Sequence, residues 1–503
     1  MLKRFNIEVH LYYGESNRMT DEKFDYSDYL SPFTWRYGSK EMRDIYSEIN
    51  FRTIWRKIWV ALAEAQADYG LVSEEELEDL KSNSSAESID LERAHEIEKE
   101  IRHDIMAEVK TFAEQCSKGG GKIHLGATSM DIRDNADALR MKQALNIILN
   151  KLVDCLEIYS NKIEENKDLA CMGWTHLQPA EPTTLGYRFS NYAQDLVMDV
   201  KSIEIILDQF LKGKGIKGAV GTSASYSRLL RDKGEPAEME KKVMENLGIE
   251  AYPVSTQTYP RKLDFMVLNS LASIAQSVHK FALDLRHLQS PPFGELSEPM
   301  KESQVGSSAM PQKKNPITTE RMCSLARYVS ELPAIAWENA SQSVFERTLD
   351  DSANRRLIIP EAFLAVDECL DLYRKTIQDI GIYPKTIERN MEKYGPFAGT
   401  EVLLMKLAEK GKDRQKMHER LRKISSKAWQ KVNEGEKNPL PKLLKKDEII
   451  VSEFDESEIE KSLNPNTHIG DAPSRCEKFL RKEVEPILSR YEDKEPKEKD
   501  FEF

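Results

Sequence analysis

Apolar side chains recur every three to four positions through much of this chain, which is the spacing of one face of an α-helix. The first such stripe consists of Ile54, Trp55, Ile58, Trp59 and Leu62. Gly70 follows the stripe and is expected to end the helix. The pattern therefore predicts that regular structure begins with a helical segment from about residue 41.

Three later stretches keep this spacing for much longer. Their apolar residues fall within positions 145–159, 189–210 and 267–288. Each is expected to form a helix of roughly 20 to 25 residues, about 30–38 Å long. Helices of this length bury their apolar faces in a bundle, and often against another subunit. No alternating strand pattern of comparable strength occurs, so the predicted fold class is all-α.

Changes in sequence texture divide the chain into three expected domains. Residues 1–128 form an N-terminal helical domain with a polar, irregular start, and a glycine cluster lies near its end. Residues 129–383 form the central domain of long helices, and residues 384–503 form a C-terminal helical domain with a charged tail. The shorter helices expected in the last domain span residues 385–393, 400–410, 414–433 and 474–488.

Composition restricts the class of protein. Apolar residues make up 40% and charged residues 31%, and the net charge of −12 argues against a general nucleic-acid binder. No apolar run approaches the length of a membrane span, and the first residues lack the apolar core of a secretory signal. The six cysteines are scattered without a Cys-x-x-Cys pair, which indicates a reduced, cytoplasmic protein. No His-Glu-x-x-His motif supports a metal site.

One glycine motif is expected to be a coincidence. Residues 213–218 read Gly-Lys-Gly-Ile-Lys-Gly and satisfy the G-x-G-x-x-G pattern of dinucleotide-binding loops. The segment follows a predicted long helix rather than a strand and opens no βαβ unit, so a loop between helices is expected. No Walker A pattern occurs either. A bound phosphate would therefore have to be held by side chains and helix ends.

Polar clusters interrupt the helical pattern at three places. They comprise Arg102-His103-Asp104 with Thr128-Ser129, then residues 174–184 around His176, and finally residues 306–316 with Arg321 and residues 345–356 further on. The second cluster is interrupted by prolines and is expected to be a loop that leads into the second long helix. Each cluster alone fits a helix entry or a solvated ionic face. Their joint presence between long helices indicates a functional site.

Residues 306–316 carry the most distinctive chemistry. They read Gly-Ser-Ser-Ala-Met-Pro-Gln-Lys-Lys-Asn-Pro, with two adjacent hydroxyls behind a glycine and two lysines close by. The backbone N–H groups and the lysines of such a loop can gather around an anion. Cations and N–H donors would also stabilise a serine alkoxide, so a serine here could act as a base. A polar turn between helices is the alternative interpretation.

This loop resembles the Gly-Ser-Ser-x-Met-Pro-x-Lys-x-Asn-Pro signature of the fumarase/aspartase superfamily at every fixed position. Within that superfamily, residues 345–356, residues 257–262, the Arg102 cluster and residues 31–37 are similar to the adenylosuccinate lyase family. The resemblance extends from about residue 31 to at least residue 401. It implies a homotetramer with a core of long helices, in which three subunits contribute to each active site.

The resemblance implies elimination of fumarate from adenylosuccinate, giving AMP, and from the succinylated aminoimidazole carboxamide ribotide of purine synthesis. No cofactor is needed for this reaction. The implied catalytic residues are Ser307 as the base, His176 as the acid, and Lys313 as the stabiliser of the dianionic intermediate, with Ser308 beside it and Asn315 shaping the loop. The implied nucleotide-binding residues are Arg36, Tyr37, Arg102, His103, Asp104, Arg347, Ser352 and Arg356. Those implied to hold the succinyl group and the base are Thr128, Ser129, Thr175, Gln257 and Arg321.

Three other interpretations remain open at this stage. Another lyase of the superfamily, such as argininosuccinate lyase, fumarase or aspartase, would share the signature loop. The arginines exceed the two or three that a dicarboxylate needs, and this surplus favours a phosphorylated substrate. A non-catalytic helical scaffold would be expected to have lost Ser307, His176 or Lys313, and all three are present. A nucleotide-binding regulator would bind AMP without releasing fumarate.

Overall fold

A computed structural model describes residues 27–300, 307, 309, 310 and 312–492. The expected irregular start and the charged tail lie largely outside these residues. Helices dominate the described part, which confirms the predicted all-α class. The α-helices are α1 (Pro32–Trp35), α2 (Lys40–Tyr46), α3 (Glu48–Ala67), α4 (Glu74–Ser82), α5 (Leu91–Ile101), α6 (Asp104–Gln115), α7 (Ser129–Asn166), α8 (Leu185–Ile205), α9 (Ala224–Leu230), α10 (Pro236–Leu247), α11 (Lys262–Gln289), α12 (Ile317–Ser341), α13 (Asp351–Gln378), α14 (Pro384–Glu409), α15 (Arg414–Asn433), α16 (Leu440–Leu444), α17 (Glu448–Glu453), α18 (Glu456–Leu463), α19 (Ala472–Phe479) and α20 (Glu485–Arg490).

Short elements complete the described part. Single 3-10 turns lie at Ala86–Ser88, Gly120–Lys122, Arg231–Lys233 and Pro465–Thr467, and π-helical turns lie at Ile206–Phe210 and Leu480–Val484. Two antiparallel strand pairs are present, β1 (Ala170–Thr175) with β2 (Gln178–Thr184), and β3 (Leu296–Ser297) with β4 (Gly381–Ile382). Among the described residues, no helix has the length and apolarity needed to span a membrane.

The three predicted long helices are confirmed as α7, α8 and α11, with 38, 21 and 28 residues. Two further long helices, α12 and α13, have 25 and 28 residues and were not singled out by the pattern. Each contains an internal proline, Pro333 in α12 and Pro360 in α13. Proline removes one helix hydrogen bond and usually interrupts a helix, but here the packed environment outweighs that local preference.

The chain divides by packing into two compact units. The first consists of residues 1–36, 43–140 and 212–260, and the second of residues 37–42, 141–211 and 261–503. The three-domain division expected from sequence texture stays a prediction.

Aromatic residues of the predicted first stripe form the core of the first unit. Trp55 and Trp59 on α3 are buried, and the Trp59 ring lies 6.2 Å from that of Phe112 on α6. The same core contains a buried ion pair, in which Nε of Arg56 donates to Glu108 at 2.7 Å. Burial raises the pKa of the Glu108 carboxyl, and the nearby arginines only partly offset this effect.

Residues from the predicted seams of the long helices pack together in the second unit. Tyr159 on α7 lies among the rings of Phe189 on α8, Phe281 on α11 and Tyr373 on α13, at centroid distances of 6.1, 6.4 and 6.0 Å. The two tyrosine hydroxyls share a hydrogen bond of 2.9 Å inside this core. Their mutual hydrogen bond allows two polar groups to be buried among apolar helices.

The two short helices predicted at residues 385–393 and 400–410 form a single helix, α14, so that prediction was wrong. Gly395, Pro396 and Gly399 lie between the two predicted helices, and all three are inside the observed helix. A Cβ added to Gly395 would lie 2.4 Å from Pro465, and one added to Gly399 would lie 2.3 Å from the carbonyl oxygen of Ser462. The glycines therefore allow close packing of α14 against its neighbours rather than ending the helix.

Candidate active site

In the first unit, the predicted cluster of Arg102, His103 and Asp104 lies between α5 and α6. Arg102 ends α5 in the left-handed conformation with φ of 53°, and His103 precedes α6. Nδ1 of His103 accepts the backbone N–H of Met106 at 3.3 Å, so the imidazole caps the helix. The polar triplet is therefore the boundary between two helices, and its side chains gather at a helix N-terminus, where anions are favoured.

Contacts within the first unit join this cluster to the start of α7. Nε2 of His103 lies 3.4 Å from Oγ of Ser129, and Asp104 forms an ion pair of 2.8 Å with Arg133. The structure therefore brings together His103, Asp104 and Ser129, which the sequence analysis grouped in one polar cluster. Arg133 was not predicted. It orients Asp104 from one turn further along α7.

A buried carboxylate organises the neighbouring Thr128 backbone. The N–H of Thr128 donates to Oδ2 of Asp131 at 3.1 Å, and Asp131 is completely buried. The same carboxylate is paired with the ammonium group of Lys214 and accepts the N–H groups of Lys217 at 3.2 Å and Gly218 at 3.1 Å. The Gly213–Gly218 segment therefore folds around an internal anion, and these donors are not available to a nucleotide phosphate.

The other predicted residues of the first unit lie on separate segments. Arg36 follows α1 and is exposed, with its guanidinium 5.7 Å from the ring of Trp35. Gln257 is half-buried in a turn near Tyr259, whose N–H donates to Asp134 at 2.8 Å. The buried Tyr259 anchors this turn, so the position of Gln257 is fixed by its neighbour rather than by its own sequence context.

In the second unit, Tyr37 and Arg321 lie close together. The Arg321 guanidinium is 5.9 Å from the Tyr37 ring and 3.6 Å from a carboxylate oxygen of Glu368 on α13. Oε2 of Glu368 also accepts the N–H of Gly38 at 3.2 Å. Burial raises the pKa of Glu368, while the Gly38 bond and Arg321 oppose the rise. Glu368 was not predicted because an acidic residue inside a long helix gives no local signal of its partners.

His176 lies at the tip of a β-hairpin, so the prediction of a loop for residues 174–184 was wrong. Strands β1 and β2 pair from Ala170 opposite Thr184 to Thr175 opposite Gln178. His176 and Leu177 form the two-residue turn between them, with positive φ values of 55° and 58°. Such turns usually contain Asn-Gly or Gly, and the absence of those residues concealed the hairpin. A non-glycine residue with positive φ carries backbone strain of about 1–3 kcal/mol, so both His176 and Leu177 are strained.

Aromatic packing holds this hairpin at Trp174, just before the turn. The Trp174 ring is perpendicular to that of Phe293 at 4.8 Å and to that of Tyr394 at 5.7 Å. Gly173 lies at a bulge, where an added Cβ would approach the carbonyl oxygen of Glu181 to 2.5 Å. Beyond this packed segment, His176 is exposed, as is the preceding Thr175. The hairpin therefore presents an imidazole to solvent on a strained turn.

The described part of the signature loop places donors around Ser307. Its Oγ accepts the N–H groups of Ala309 at 3.3 Å and Met310 at 3.2 Å. The N–H of Lys313 donates to the carbonyl oxygen of Met310 at 3.0 Å, and the lysine side chain is exposed. N–H groups aimed at a hydroxyl oxygen stabilise its deprotonated form. Gly306, Ser308 and Pro311 lie outside the described residues, and the role of Ser308 stays a prediction.

The carbonyl oxygen of Asn315 accepts the N–H of Ile317 at 2.9 Å, where the signature loop meets α12. Among the described residues, no hydrogen bond or ion pair joins the side chains of His176, Ser307 and Lys313 to one another.

The arginine-rich segment at residues 345–356 divides into a buried and an exposed part. Asp351 is buried and accepts Nε of Arg261 at 2.6 Å and Nη1 of Arg347 at 2.8 Å. Burial alone would raise the pKa of Asp351, but the arginines hold it below its ordinary value. Arg355 is also buried and paired with Asp264, whereas the predicted residue Arg356 is exposed.

Ser352 is half-buried in the first turn of α13, and its N–H donates to the carbonyl oxygen of Leu349 at 3.0 Å. Arg347, Ser352 and Arg356 therefore lie around the N-terminus of a long helix, and the ion pair with Asp351 fixes the Arg347 guanidinium there. A helix N-terminus with nearby cations is suited to an anionic group such as phosphate.

Two protein-family models match the chain. The model described as "Lyase" matches residues 37–330, which is more than half of the chain, and the model described as "Adenylosuccinate lyase C-terminus" matches residues 396–479. Among curated proteins, the adenylosuccinate lyase of Saccharomyces cerevisiae is 40% identical over 473 residues, covering 93% of this chain and 97% of that relative. The adenylosuccinate lyase of Schistosoma mansoni is also 40% identical, covering 93% and 98%, respectively.

Solved structures of lower identity share the fold. A 3-carboxy-cis,cis-muconate lactonizing enzyme from Pseudomonas putida has a TM-score of 0.80 at 20% identity, covering 91% of this chain and 99% of that one. A fumarate lyase from Mesorhizobium sp. BNC1 has a TM-score of 0.78 at 21% identity, covering 88% and 98%. The fold and the signature loop define an enzyme of the fumarase/aspartase superfamily, a lyase. Within it, the chain belongs to the adenylosuccinate lyase family.

Proposed function

We propose that this protein eliminates fumarate from adenylosuccinate to give AMP, and from the succinylated aminoimidazole carboxamide ribotide to give its carboxamide, in purine nucleotide synthesis. The observation that carries the proposal is 40% identity to adenylosuccinate lyases over 93% of the chain. The intact Ser307, His176 and Lys313 support a catalytic rather than a scaffolding role. The protein acts in the cytoplasm and needs no cofactor for this reaction.

Ser307 is the base that removes the proton from the carbon next to the substrate carboxylate. This C–H group is a weak acid, so the alkoxide has to be stabilised before it can act. The N–H groups of Ala309 and Met310 already point at Oγ of Ser307 and supply part of that stabilisation. Lys313 then balances the charge that spreads into the carboxylate as the carbanion forms.

His176 is the acid that protonates the leaving nitrogen. The ordinary pKa of an imidazole is close to physiological pH, which suits a group that gives up a proton at that pH. The strained turn presents the imidazole at the exposed tip of the hairpin, beyond the packed Trp174. The electron pair left by the removed proton forms the C=C bond of fumarate, and the electron pair of the broken C–N bond leaves with the nitrogen. The proton from His176 completes the amino group of the product.

The remaining predicted residues bind the two ends of the substrate. Residues proposed to hold the phosphate and ribose are Arg36, Tyr37, Arg102, His103, Asp104, Arg347, Ser352 and Arg356. Residues proposed to hold the succinyl group and the purine or imidazole base are Thr128, Ser129, Thr175, Gln257 and Arg321. Ser308 is proposed to bind the intermediate, and Asn315 is proposed to shape the loop. Within the second unit, the proximity of Tyr37 to Arg321 supports the proposal that these two residues share one site.

A homotetramer with active sites shared between subunits is part of the proposal. His176 stands at an exposed hairpin tip without a direct bond to Ser307 or Lys313 among the described residues. Large apolar side chains on the long helices are also exposed, namely Met198 and Ile205 on α8, Leu283 on α11 and Trp337 on α12. Exposed apolar side chains on long helices favour association with further copies of the chain.

Turnover of adenylosuccinate, followed by ultraviolet absorbance, tests the proposal. Argininosuccinate, malate and aspartate are assayed in parallel, because another fumarate-releasing lyase of the superfamily is the alternative function. We expect release of AMP and fumarate from adenylosuccinate. We expect no release of fumarate from the other three substrates. Absence of turnover at micromolar enzyme would reject the proposal, and preference for one of the other substrates would support the alternative.

A further inference from the structure

Glu298 connects the chain before the signature loop to the helix that follows it. This residue is 5% exposed, and its carboxylate accepts the N–H of Thr318 at 3.1 Å and the N–H of Thr319 at 2.9 Å. It also accepts the Thr319 hydroxyl at 3.0 Å. Three hydrogen bonds therefore join a buried carboxylate to the first turn of α12, 20 residues further along the chain.

Gln289, the last residue of α11, forms a second connection at the same place. Its Oε1 accepts the N–H of Glu298 at 2.9 Å, and its Nε2 donates to the carbonyl oxygen of Lys314 at 3.1 Å. One side chain thus binds the backbone on both sides of the signature loop. The residue whose carbonyl group it holds is adjacent to Lys313.

The first turn of α12 needs such a partner from elsewhere. Pro316 precedes the helix and has no side-chain acceptor, so it cannot cap the N–H groups of Thr318 and Thr319. A carboxylate at this position is stabilised both by hydrogen bonds and by the helix dipole. Glu298 therefore replaces the missing local cap, and because it lies before the loop it also fixes the loop's two ends together.

We propose that Glu298 and Gln289 are positioning residues of the elimination reaction, which fix the ends of the signature loop and so set the places of Ser307 and Lys313. The inference rests on the proposed function for its catalytic part. A displacement of about 1 Å in a catalytic group can lower the rate about 100-fold. Neither residue needs to touch the substrate for this effect.

Two substitutions test the role with little change in volume. Glu298→Gln keeps the shape but removes the charge and replaces one acceptor by a donor facing N–H groups. Gln289→Leu removes both polar contacts of the amide while keeping a similar apolar volume. For each variant we expect kcat to fall about 10- to 100-fold with KM changed less than about threefold, because the loop is displaced while most binding residues are not.

Asp413→Asn is the matched control. Asp413 accepts the N–H groups of Gln415 at 2.9 Å and Lys416 at 3.1 Å at the start of α15, which contains no proposed site residue. The Asp413→Asn variant therefore removes the negative charge of a helix-capping carboxylate, as Glu298→Gln does, but at α15 rather than beside the signature loop. The control should lower the melting temperature slightly and leave kcat unchanged.

Hydrogen–deuterium exchange of the peptides covering residues 306–319 gives a measure that does not depend on activity. We expect faster exchange in Glu298→Gln and Gln289→Leu than in the wild type, and no change in Asp413→Asn. Unchanged exchange in the first two variants would overturn the proposal, as would faster exchange with kcat within about twofold of the wild type.

A wild-type enzyme that fails to turn over adenylosuccinate would reject the proposed function instead. In that case the kinetics of Glu298→Gln and Gln289→Leu are measured with whichever superfamily substrate the protein cleaves. The exchange rates still decide whether Glu298 and Gln289 fix the loop. Faster exchange with a lower kcat on that substrate supports the positioning role, and unchanged exchange rejects it.

Discussion

Two segments of this protein begin with glycine and contain two lysines, but their polar groups bind different partners. The Gly213–Gly218 segment matches a dinucleotide-binding pattern letter for letter, yet its N–H groups and Lys214 bind the buried Asp131. The signature loop instead directs N–H groups at the hydroxyl of Ser307 and leaves Lys313 exposed. A loop rich in donors is a ligand site only where no internal anion already occupies those donors.

The largest expected loss of stability comes from breaking the buried ion pair between Lys214 and Asp131. Lys214→Met keeps the aliphatic stem but leaves the fully buried Asp131 without its cation, and such a change destabilises by about 3–5 kcal/mol. Urea unfolding of the variant measures the loss. Lys314→Met, which changes an exposed lysine of the signature loop, is the control and should unfold like the wild type. A stable Lys214→Met protein would show that Asp131 does not depend on this cation.

Removing the proposed catalytic groups should have the opposite effect, with a large loss of activity and little loss of stability. Ser307→Ala and His176→Ala are each expected to lower kcat by about 100-fold or more, or about 2.7 kcal/mol, because each loses a proton-transfer group. Both side chains lie outside the packed core, so unfolding should be nearly unchanged. Steady-state kinetics and thermal melts measure the two effects. Near-normal turnover of Ser307→Ala would contradict its assignment as the base.

A buried carboxylate with only neutral hydrogen-bond partners tests how much a buried acid depends on a cation. Asp199 on α8 accepts the hydroxyl groups of Ser273 at 3.0 Å and Ser277 at 2.7 Å on α11, and both partners are neutral. Burial raises its pKa from the ordinary 3.8 to about 6, although the two serines oppose the shift. The unfolded chain therefore loses this proton at a lower pH than the folded chain does. The stability that Asp199 contributes is complete below about pH 4 and is lost as the pH rises through about 6.

Asp199→Asn should therefore stabilise the protein at neutral pH by about 1–2 kcal/mol, with little gain below about pH 4. Melting temperatures of the wild type and the variant between about pH 4 and pH 8 measure this difference. Ser273→Ala is a useful comparison because it removes one of the bonds that favour the charged form and should increase the pH dependence. The raised pKa of Asp199 would be contradicted if the difference in melting temperature between Asp199→Asn and the wild type did not change with pH.

Sequence periodicity predicted the long helices because their cores obey a simple spacing rule. The apolar positions that contain Tyr159, Phe189 and Phe281 were recognisable without knowing what they contact. Helix α14 was divided wrongly because glycine and proline usually end helices, whereas Gly395 and Gly399 serve close packing. A local rule fails where a tertiary contact requires the residue for another reason.

The candidate catalytic residues were predicted from motifs, but the buried charged residues that hold the surrounding segments were not. Asp131 and Lys214 are 83 positions apart, and nothing in their local sequence pairs them. Glu298 and Glu368 are single acidic residues in a chain with many others. The His176 hairpin was missed because its turn has positive φ angles without glycine or asparagine. Partners set by tertiary contact leave no periodic signal in one sequence.

The most direct measurement mixes two inactive proteins. His176→Ala and Ser307→Ala are unfolded together and refolded, so that the proposed tetramer assembles from both variants, and are then assayed with adenylosuccinate. If each site takes Ser307 and His176 from different subunits, random assembly should restore about a quarter of the wild-type activity. Mixed tetramers, verified by a distinguishing tag, that remain as inactive as either variant alone would contradict the shared site.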